Sequence, residues 1–397
     1  MLRVTMPSGK VREVLAGTPV SELVPPRGET TDPVVAVKFN NKVGSLQRPI
    51  DRDGKIDYVD LASRDGALIY RRSLTFVLIR AMHELFPDLK VYINHSLNQG
   101  YYGETYSQKL GADGPLMLSE NDFERIKDRM REIIEKDEPF ERFEVSIDEA
   151  KRLFSEAGLD DKVALLRYRN DERVSIYRSG PIINHFYGQL LPSTGYLDKF
   201  DLKSCDPGFV LMFPLRGKPD ILPEYRHEQK LFEVYQEYEQ WMRILGVRTV
   251  AHLNTLVDTR EINEYVLIAE ALHEKKIAQV ADLITHHKRQ PRIILLSGPS
   301  ASGKTTTVKR LKVQLRVNGL SPVVVGLDDF FVPRDQTPKD EHGKFDFEAF
   351  EAIDVGLLQD CVRRLLAGEE VAIPKFDFVR GEPVPGKHVQ LKAGELL

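Results

Sequence analysis

The segment that most restricts how this chain can fold is Gly298-Pro299-Ser300-Ala301-Ser302-Gly303-Lys304-Thr305. It has the spacing G-x-x-x-x-G-K-[ST], in which the glycines let the backbone close around a phosphate. Both flanks agree with it. Arg292 to Ser297 reads RIILLS, a short apolar run suited to a buried parallel strand, and Val308, Leu311 and Leu315 lay an apolar stripe along the helix expected to follow. The start of such a helix offers unpaired N–H groups and the positive end of its dipole to an anion. The expected phosphate contacts are therefore Gly298, Ser300, Ala301, Ser302, Gly303, Lys304, Thr305 and Thr306. Lys304 is placed to reach the β- and γ-phosphates, and the Thr305 hydroxyl to ligate Mg²⁺.

A second apolar run, Val323-Val324-Val325-Gly326-Leu327, ends in Asp328-Asp329-Phe330-Phe331. A right-handed strand–helix–strand crossover brings the end of this second strand to the same edge as the glycine loop. A carboxylate there can accept the proton of an attacking hydroxyl, or hold Mg²⁺ through water; the structural alternative is an Asp pair that caps the next turn. The chain stops at Ala393-Gly394-Glu395-Leu396-Leu397, where a further strand would start. An incomplete sheet of two parallel strands, and hence a C-terminally truncated domain, is the expectation.

The ordered set GPSASGKTT, VVVGLDDFF, Lys344 to Phe350 (KFDFEAF) and Ile373 to Phe378 (IPKFDF) resembles the uridine kinase/phosphoribulokinase family of P-loop kinases. The resemblance covers about residues 290 to 395. It implies ATP and Mg²⁺ as cofactors, uridine or cytidine as the acceptor, and Asp328 as general base beside Lys304. It also implies that Asp346, Phe376, Asp377 and Arg380 lie at the acceptor. Phe376 stands where the family has Tyr, which removes a hydroxyl that could bond the base or the sugar.

The first half reads differently. Leu2 to Thr5 alternates, Pro7 to Lys10 is a turn into Val11 to Val14, and Thr18-Pro19 starts a short helix with Thr18 as its cap. Val34 to Phe39 is a strand, followed by the Asn40-Asn41 turn. This order resembles a ubiquitin-like TGS domain of β-grasp type. Further on come an amphipathic helix from Ser73 to Phe86, a capping box at Ser119 to Asp122, a second capped helix at Ser146, and the segment Leu191 to Tyr196. In that order they resemble the editing domain of threonyl-tRNA synthetases. The family places two His four residues apart on the first helix, then a Cys and a His four apart before the P-S-T-G segment. The matching positions here carry Thr75 and Ile79, then Phe186 and Leu190, so the hydrolytic site is expected to be lost. His95 and His185 are expected near the same cleft.

The fold class expected is a multidomain α/β chain. Its parts are a TGS-like β-grasp domain (1–66), an α+β synthetase-editing-like domain (67–205), a helical connecting region (206–288) and the P-loop α/β kinase domain (289–397). In the connecting region Phe232, Tyr235, Tyr238 and Trp241 form an aromatic stripe at helical spacing, expected to pack in a core or between domains. A net charge of −4 gives no electrostatic argument for nucleic acid. Cys205 and Cys361 make no disulfide framework, and MLRVTMPSGK has no apolar core of a signal peptide, so a cytoplasmic setting is expected, with no membrane partner. A second reading is a non-catalytic regulatory protein whose first half binds RNA or an amino acid. A translational GTPase is disfavoured, because Asn41-Lys42-Val43-Gly44 lacks the Asp of the guanine-reading motif.

Overall fold

The computed structural model describes residues 1–97, 100–107, 114–299, 301–341 and 343–397. The chain divides into two compact units, residues 1–258 and 259–397.

The first unit opens with β1 (Leu2–Thr5) and β2 (Val11–Val14), paired antiparallel with Leu2 opposite Val14. β3 (Val34–Phe39) and β4 (Lys42–Gly44) are joined by Asn40-Asn41, whose φ values of 49° and 65° suit a two-residue hairpin turn. β5 (Gly54–Asp60) completes a five-stranded sheet in the order β2-β1-β5-β3-β4, with β1 and β5 parallel. Val4, Val37, Phe39 and Ile56 fill its core together with Val20 and Leu23 of a single 3-10 turn. That turn is not capped by Thr18 as the sequence predicts. Its cap position is Pro19, and the Thr18 carbonyl instead accepts the Ile50 N–H at 2.9 Å. Pairing with the chain around Ile50 thus takes priority over the local cap.

α1 (Arg64–Leu85) is longer than its apolar stripe suggests and starts at Ser63, whose hydroxyl accepts from the Gly66 N–H at 3.1 Å. β6 (Leu89–Leu97), β7 (Gly100–Ser107), α2 (Glu120–Glu135), β8 (Glu141–Ser146), α3 (Ile147–Glu156), α4 (Asp160–Leu166), β9 (Arg173–Ser179), β10 (Ile182–Asn184), β11 (Asp201–Cys205) and β12 (Gly208–Met212) follow. The capping box at Ser119 and the cap at Ser146 are both present. Two sheets result, β10-β9-β8 and β11-β12-β7-β6. The second sheet runs past residue 205, because β11 and β12 form a hairpin about that point.

Within the four-stranded sheet β12 is buried on both faces, as the unbroken apolar run Phe209-Val210-Leu211-Met212 requires. Phe209 and Leu211 face the α1/α2 side with Phe76, Leu78, Phe123 and Ile126. Val210 and Met212 face the other way, with Leu97, Tyr102 and Phe232. Phe232 belongs to α5 (Gln229–Ile244), which ends at Gly246, and α6 (Val250–Asp258) closes the unit.

In the second unit α7 (Ile262–Thr285) packs on α8 (Lys304–Val317). Ile277 and Ala281 meet Leu311 and Leu315, and Glu274 accepts from Arg310 at 2.7 Å and Gln314 at 2.8 Å. α9 (Val355–Leu366) is followed by β13 (Glu370–Ala372), β14 (Lys375–Asp377), β15 (Glu382–Val384) and β16 (His388–Gln390). β13 pairs with β16 and β14 with β15, each antiparallel. The strands predicted over Arg292–Ser297 and Val323–Leu327 are not formed as ladders. Both segments are extended and bond to residues 396 and 397: Ile294 N–H to the Leu397 carbonyl at 2.8 Å, Val323 N–H to the Leu396 carbonyl at 2.7 Å. Leu396 and Leu397 thus lie between the two segments. Among the described residues a single bridge forms there, between Pro322 and Leu396, and Leu295 is 86% exposed.

Candidate functional site

Within the glycine-spaced segment, the Ser302 N–H bonds to the Pro299 carbonyl at 3.3 Å and α8 begins at Lys304. Gly303 has φ 85°, the left-handed region open to glycine, and it caps α8 with no side-chain bond. The first amides of α8 are therefore left for an anion. At Gly298 an added Cβ would sit 2.9 Å from the Ser302 hydroxyl, so a larger residue there would displace that side chain. Ala301 also takes a left-handed φ of 60°. The Lys304 ammonium folds back over the loop, donating to the Gly298 carbonyl at 2.7 Å and the Pro299 carbonyl at 2.8 Å. Thr305 and Thr306 are exposed on the first turn of α8. Ser300 lies outside the described residues.

Asp328 stands exposed on a 3-10 turn, Leu327–Phe330, at the end of the second extended segment. Phe330 fixes that turn from below, 1% exposed among Cys361, Leu365, Val371 and Ile373. Asp329 is half-buried. The next residue, Phe331, draws together the other predicted segments. Its ring lies 5.7 Å from Phe347, 5.7 Å from Phe376 and 6.4 Å from Phe378.

The predicted acceptor residues fall around this cluster in different ways. Phe376 is buried on β14, 5.2 Å from the more exposed ring of Phe378. Asp346 sits one residue before Phe347, and its carboxylate accepts the Glu348 N–H at 3.0 Å. Asp377 holds its own turn, accepting from Val379 N–H at 2.9 Å and Arg380 N–H at 3.0 Å. These backbone donors, the Arg380 amide first, hold its carboxyl below the usual range. Arg380 is exposed, with Nε 3.7 Å from Asp377. The rings brought together are thus those of Phe331, Phe347, Phe376 and Phe378, while Lys304 is bonded to its own loop and not to Asp328. Phe331 and Phe378 were not singled out from sequence; the alternation in KFDFV and the doubled Phe after Asp329 were the signal available.

Two of the expected cleft residues, Phe186 and Leu190, pack in the core of the first unit. The residue of α1 that meets Phe186 is Phe76, at 5.1 Å between rings. Thr75 turns back to the Arg71 carbonyl at 2.9 Å. Arg72 and Arg80 stand four residues to either side of Phe76, and Arg72 donates to the Gln189 carbonyl at 2.8 Å. Arg80 is 4% exposed and donates to Glu84 at 2.8 Å, Glu138 at 2.5 Å and Ser179 at 3.2 Å. Burial alone would lower its guanidinium pKa; the bonds to Glu138 and Glu84 outweigh that and hold it above the ordinary value. The two predicted cleft histidines are also separate. His185 bonds through Nδ1 to the Ser175 carbonyl at 2.8 Å on the three-stranded sheet. His95 stacks on Tyr235 of α5, beyond the other sheet. Among the described residues no cluster of three or more His, Cys, Asp or Glu side chains could hold a metal. No helix among them is long and apolar enough to cross a membrane.

Comparison with known proteins gives two kinds of match. Residues 293–396 match the model of the Phosphoribulokinase / Uridine kinase family. A Threonine–tRNA ligase from Rubrobacter xylanophilus is 34% identical over 206 residues, which is 51% of this chain and 31% of that protein. The Threonine–tRNA ligases of Syntrophotalea carbinolica and Symbiobacterium thermophilum are 31% and 32% identical over the same 51% of this chain. The chain spans about a third of the length of these curated relatives. A solved structure described as a fructose transport system kinase from Silicibacter sp. TM1040 is 24% identical, covers 30% of this chain and 60% of that one, and has a TM-score of 0.24. The chain therefore joins an N-terminal half similar to Threonine–tRNA ligases to a C-terminal segment that matches the Phosphoribulokinase / Uridine kinase family.

Proposed function

We propose that residues 289–397 carry an ATP-dependent kinase that phosphorylates the sugar hydroxyl of a nucleoside, uridine or cytidine. The observation that carries this reading is the loop at 298–304, where a left-handed Gly303 opens α8 and the Lys304 ammonium is held over two loop carbonyls. A phosphate entering the loop takes the place of those carbonyls as partner of Lys304, which then neutralises charge that builds up on the transferring group. Thr305 is the side chain suited to hold Mg²⁺, and that ion supplies further charge neutralisation on the phosphates. Asp328 orients the acceptor hydroxyl and takes its proton. Phe331, Phe347 and Phe378 offer an apolar wall for the base, with Asp346 and Arg380 at its edge.

In this reading residues 1–66 form a TGS-like domain, 67–205 an editing-like domain and 206–288 a connecting region. Phe76, Phe186 and Leu190 are packed in one apolar cluster, which favours a first half that binds rather than hydrolyses. Replacing Lys304 by Ala is expected to lower turnover about 10²-fold or more while the fold is kept. The measurement is ADP release with ATP, Mg²⁺ and uridine or cytidine, beside a circular-dichroism melt. Full activity in Lys304→Ala removes the loop from the mechanism.

A further inference from the structure

The turn between β14 and β15, Asp377 to Gly381, is closed from within. The Gly381 N–H donates to the Asp377 carbonyl at 2.7 Å, and the Asp377 carboxylate accepts from Val379 and Arg380. The carbonyls of Phe378 and Gly381 find their partner elsewhere, in Arg334. Its guanidinium Nη2 donates to Phe378 at 2.7 Å and its backbone N–H to Gly381 at 2.8 Å. Among the described residues no other hydrogen bond reaches this turn from outside the hairpin. The backbone is shaped for the contact. Gly381 takes a left-handed φ of 76°, and a Cβ added there would lie 2.9 Å from the Arg334 Nε. Glycine thus serves both the turn and the close approach of the guanidinium. Arg334 is half-buried and has no carboxylate partner among the described residues, so replacing it leaves no buried carboxylate unpaired.

Arg334 stands six residues after Asp328 on one stretch of chain, and that stretch is fixed along its length. Phe330 is buried, Phe331 bridges to Ile353, and the Val332 N–H donates to the Ala352 carbonyl at 2.9 Å. The clamp therefore joins the segment that carries Asp328 to the turn that carries Phe378 and Arg380. The rings of Phe331, Phe376 and Phe378 pack across the same junction. We propose that Arg334 is a positioning residue for the acceptor nucleoside, one that holds Phe378 and Arg380 in register with Asp328; this role rests on the kinase reading above. Without the clamp the 58% exposed ring of Phe378 has to be ordered when the nucleoside binds, at a cost to affinity. The glycine loop is held by its own bonds from Lys304 and takes none from Arg334 among the described residues, so ATP binding is spared.

Two variants of the full chain test this. Arg334→Met keeps the length and removes the side-chain donor; Arg334→Lys keeps a donor that can make the single bond to the Phe378 carbonyl. The backbone bond to Gly381 stays in both. In steady-state phosphorylation of uridine and cytidine, Arg334→Met is expected to raise the nucleoside KM about tenfold, the loss of one charge-assisted hydrogen bond, with the KM for ATP unchanged. Arg334→Lys is expected to recover most of that loss. A merely structural effect would lower kcat with the folded fraction and leave both KM values alone. Hydrogen exchange reads the clamp without catalysis: residues 375–384 are expected to exchange faster in Arg334→Met, and residues 304–317 at the parent's rate. Unchanged exchange over 375–384, an unchanged nucleoside KM, an equal rise in the KM for ATP, or Arg334→Lys no better than Arg334→Met overturns the proposal. A parent chain that phosphorylates no nucleoside, while 375–384 loosens in Arg334→Met, overturns the kinase reading instead, and the positioning role falls with it.

Discussion

At the scale of single residues, Arg80 shows how a buried cation is held. Its guanidinium is nearly buried and satisfied by Glu84, Glu138 and Ser179. Arg80→Ala leaves Glu138 without its cation, while Glu84 keeps Arg129. Because Glu138 is 35% exposed at its side chain, the loss is expected at about 2 kcal/mol, below the range for a wholly buried pair. Urea denaturation monitored by circular dichroism checks this, and an unchanged midpoint contradicts it. His185 gives a pH dependence. Burial pushes its imidazole below the ordinary value of 6.5, and Arg169 and Lys162 add to that against the bond to the Ser175 carbonyl. The unfolded chain therefore takes up this proton first as the pH falls. Stability is fully present above about 6.5 and declines with falling pH until the folded histidine is also protonated. His185→Gln is expected to flatten that part of the profile, as read from thermal melts taken between pH 7.5 and about 5. A profile identical to the parent's contradicts it.

At the scale of elements, what was legible in the sequence is what local chemistry decides. The Asn40-Asn41 hairpin, the capping box at Ser119, the cap at Ser146 and the Gly246 stop each depend on a few neighbouring residues, and each is in place. Elements that depend on distant partners were less legible. RIILLS and VVVGL have the composition of parallel strands, yet a strand is a ladder, and the backbone bonds of these segments run to two residues more than 70 positions downstream. Which residue of α1 meets Phe186 also depends on a distant partner: one residue is a rotation of about 100° around the helix, and the ring that packs there is Phe76. The left-handed turn that opens α8 at Gly303 was legible, because the glycine spacing is a backbone requirement. Gly303→Ala therefore tests the element itself. At φ 85° a Cβ costs about 1–2 kcal/mol, so the start of α8 is expected to distort and ATP affinity to fall with little effect on the melting of residues 1–258. Fluorescent ATP-analogue titration reads the affinity, and unaltered binding contradicts the assigned role.

At the scale of the whole molecule, two units share one chain: residues 1–258 contain the five-, four- and three-stranded sheets and the similarity to Threonine–tRNA ligases, and 259–397 the segment that matches the Phosphoribulokinase / Uridine kinase family. The aromatic stripe of α5 illustrates how far a linear reading reaches. Phe232 and Tyr235 do pack inward, but Tyr238 is 61% exposed, and a cavity that Tyr235 helps to line needed the sheet, α4 and α5 placed together. Asp328 lies on the turn after the second extended segment, anchored by Phe330, with Phe331 leading to the rings of Phe347, Phe376 and Phe378. The central claim is that this carboxylate and the loop serve one phosphoryl transfer. The most direct measurement is transfer of the labelled γ-phosphate of ATP to uridine and cytidine by the 397-residue chain and by Asp328→Asn, with ATP binding measured in parallel. The account predicts a labelled nucleoside monophosphate from the parent chain, and from Asp328→Asn a loss of about 10²-fold or more with ATP binding retained. Equal transfer by the two proteins, or no labelled nucleoside from a parent chain that binds ATP, would contradict it.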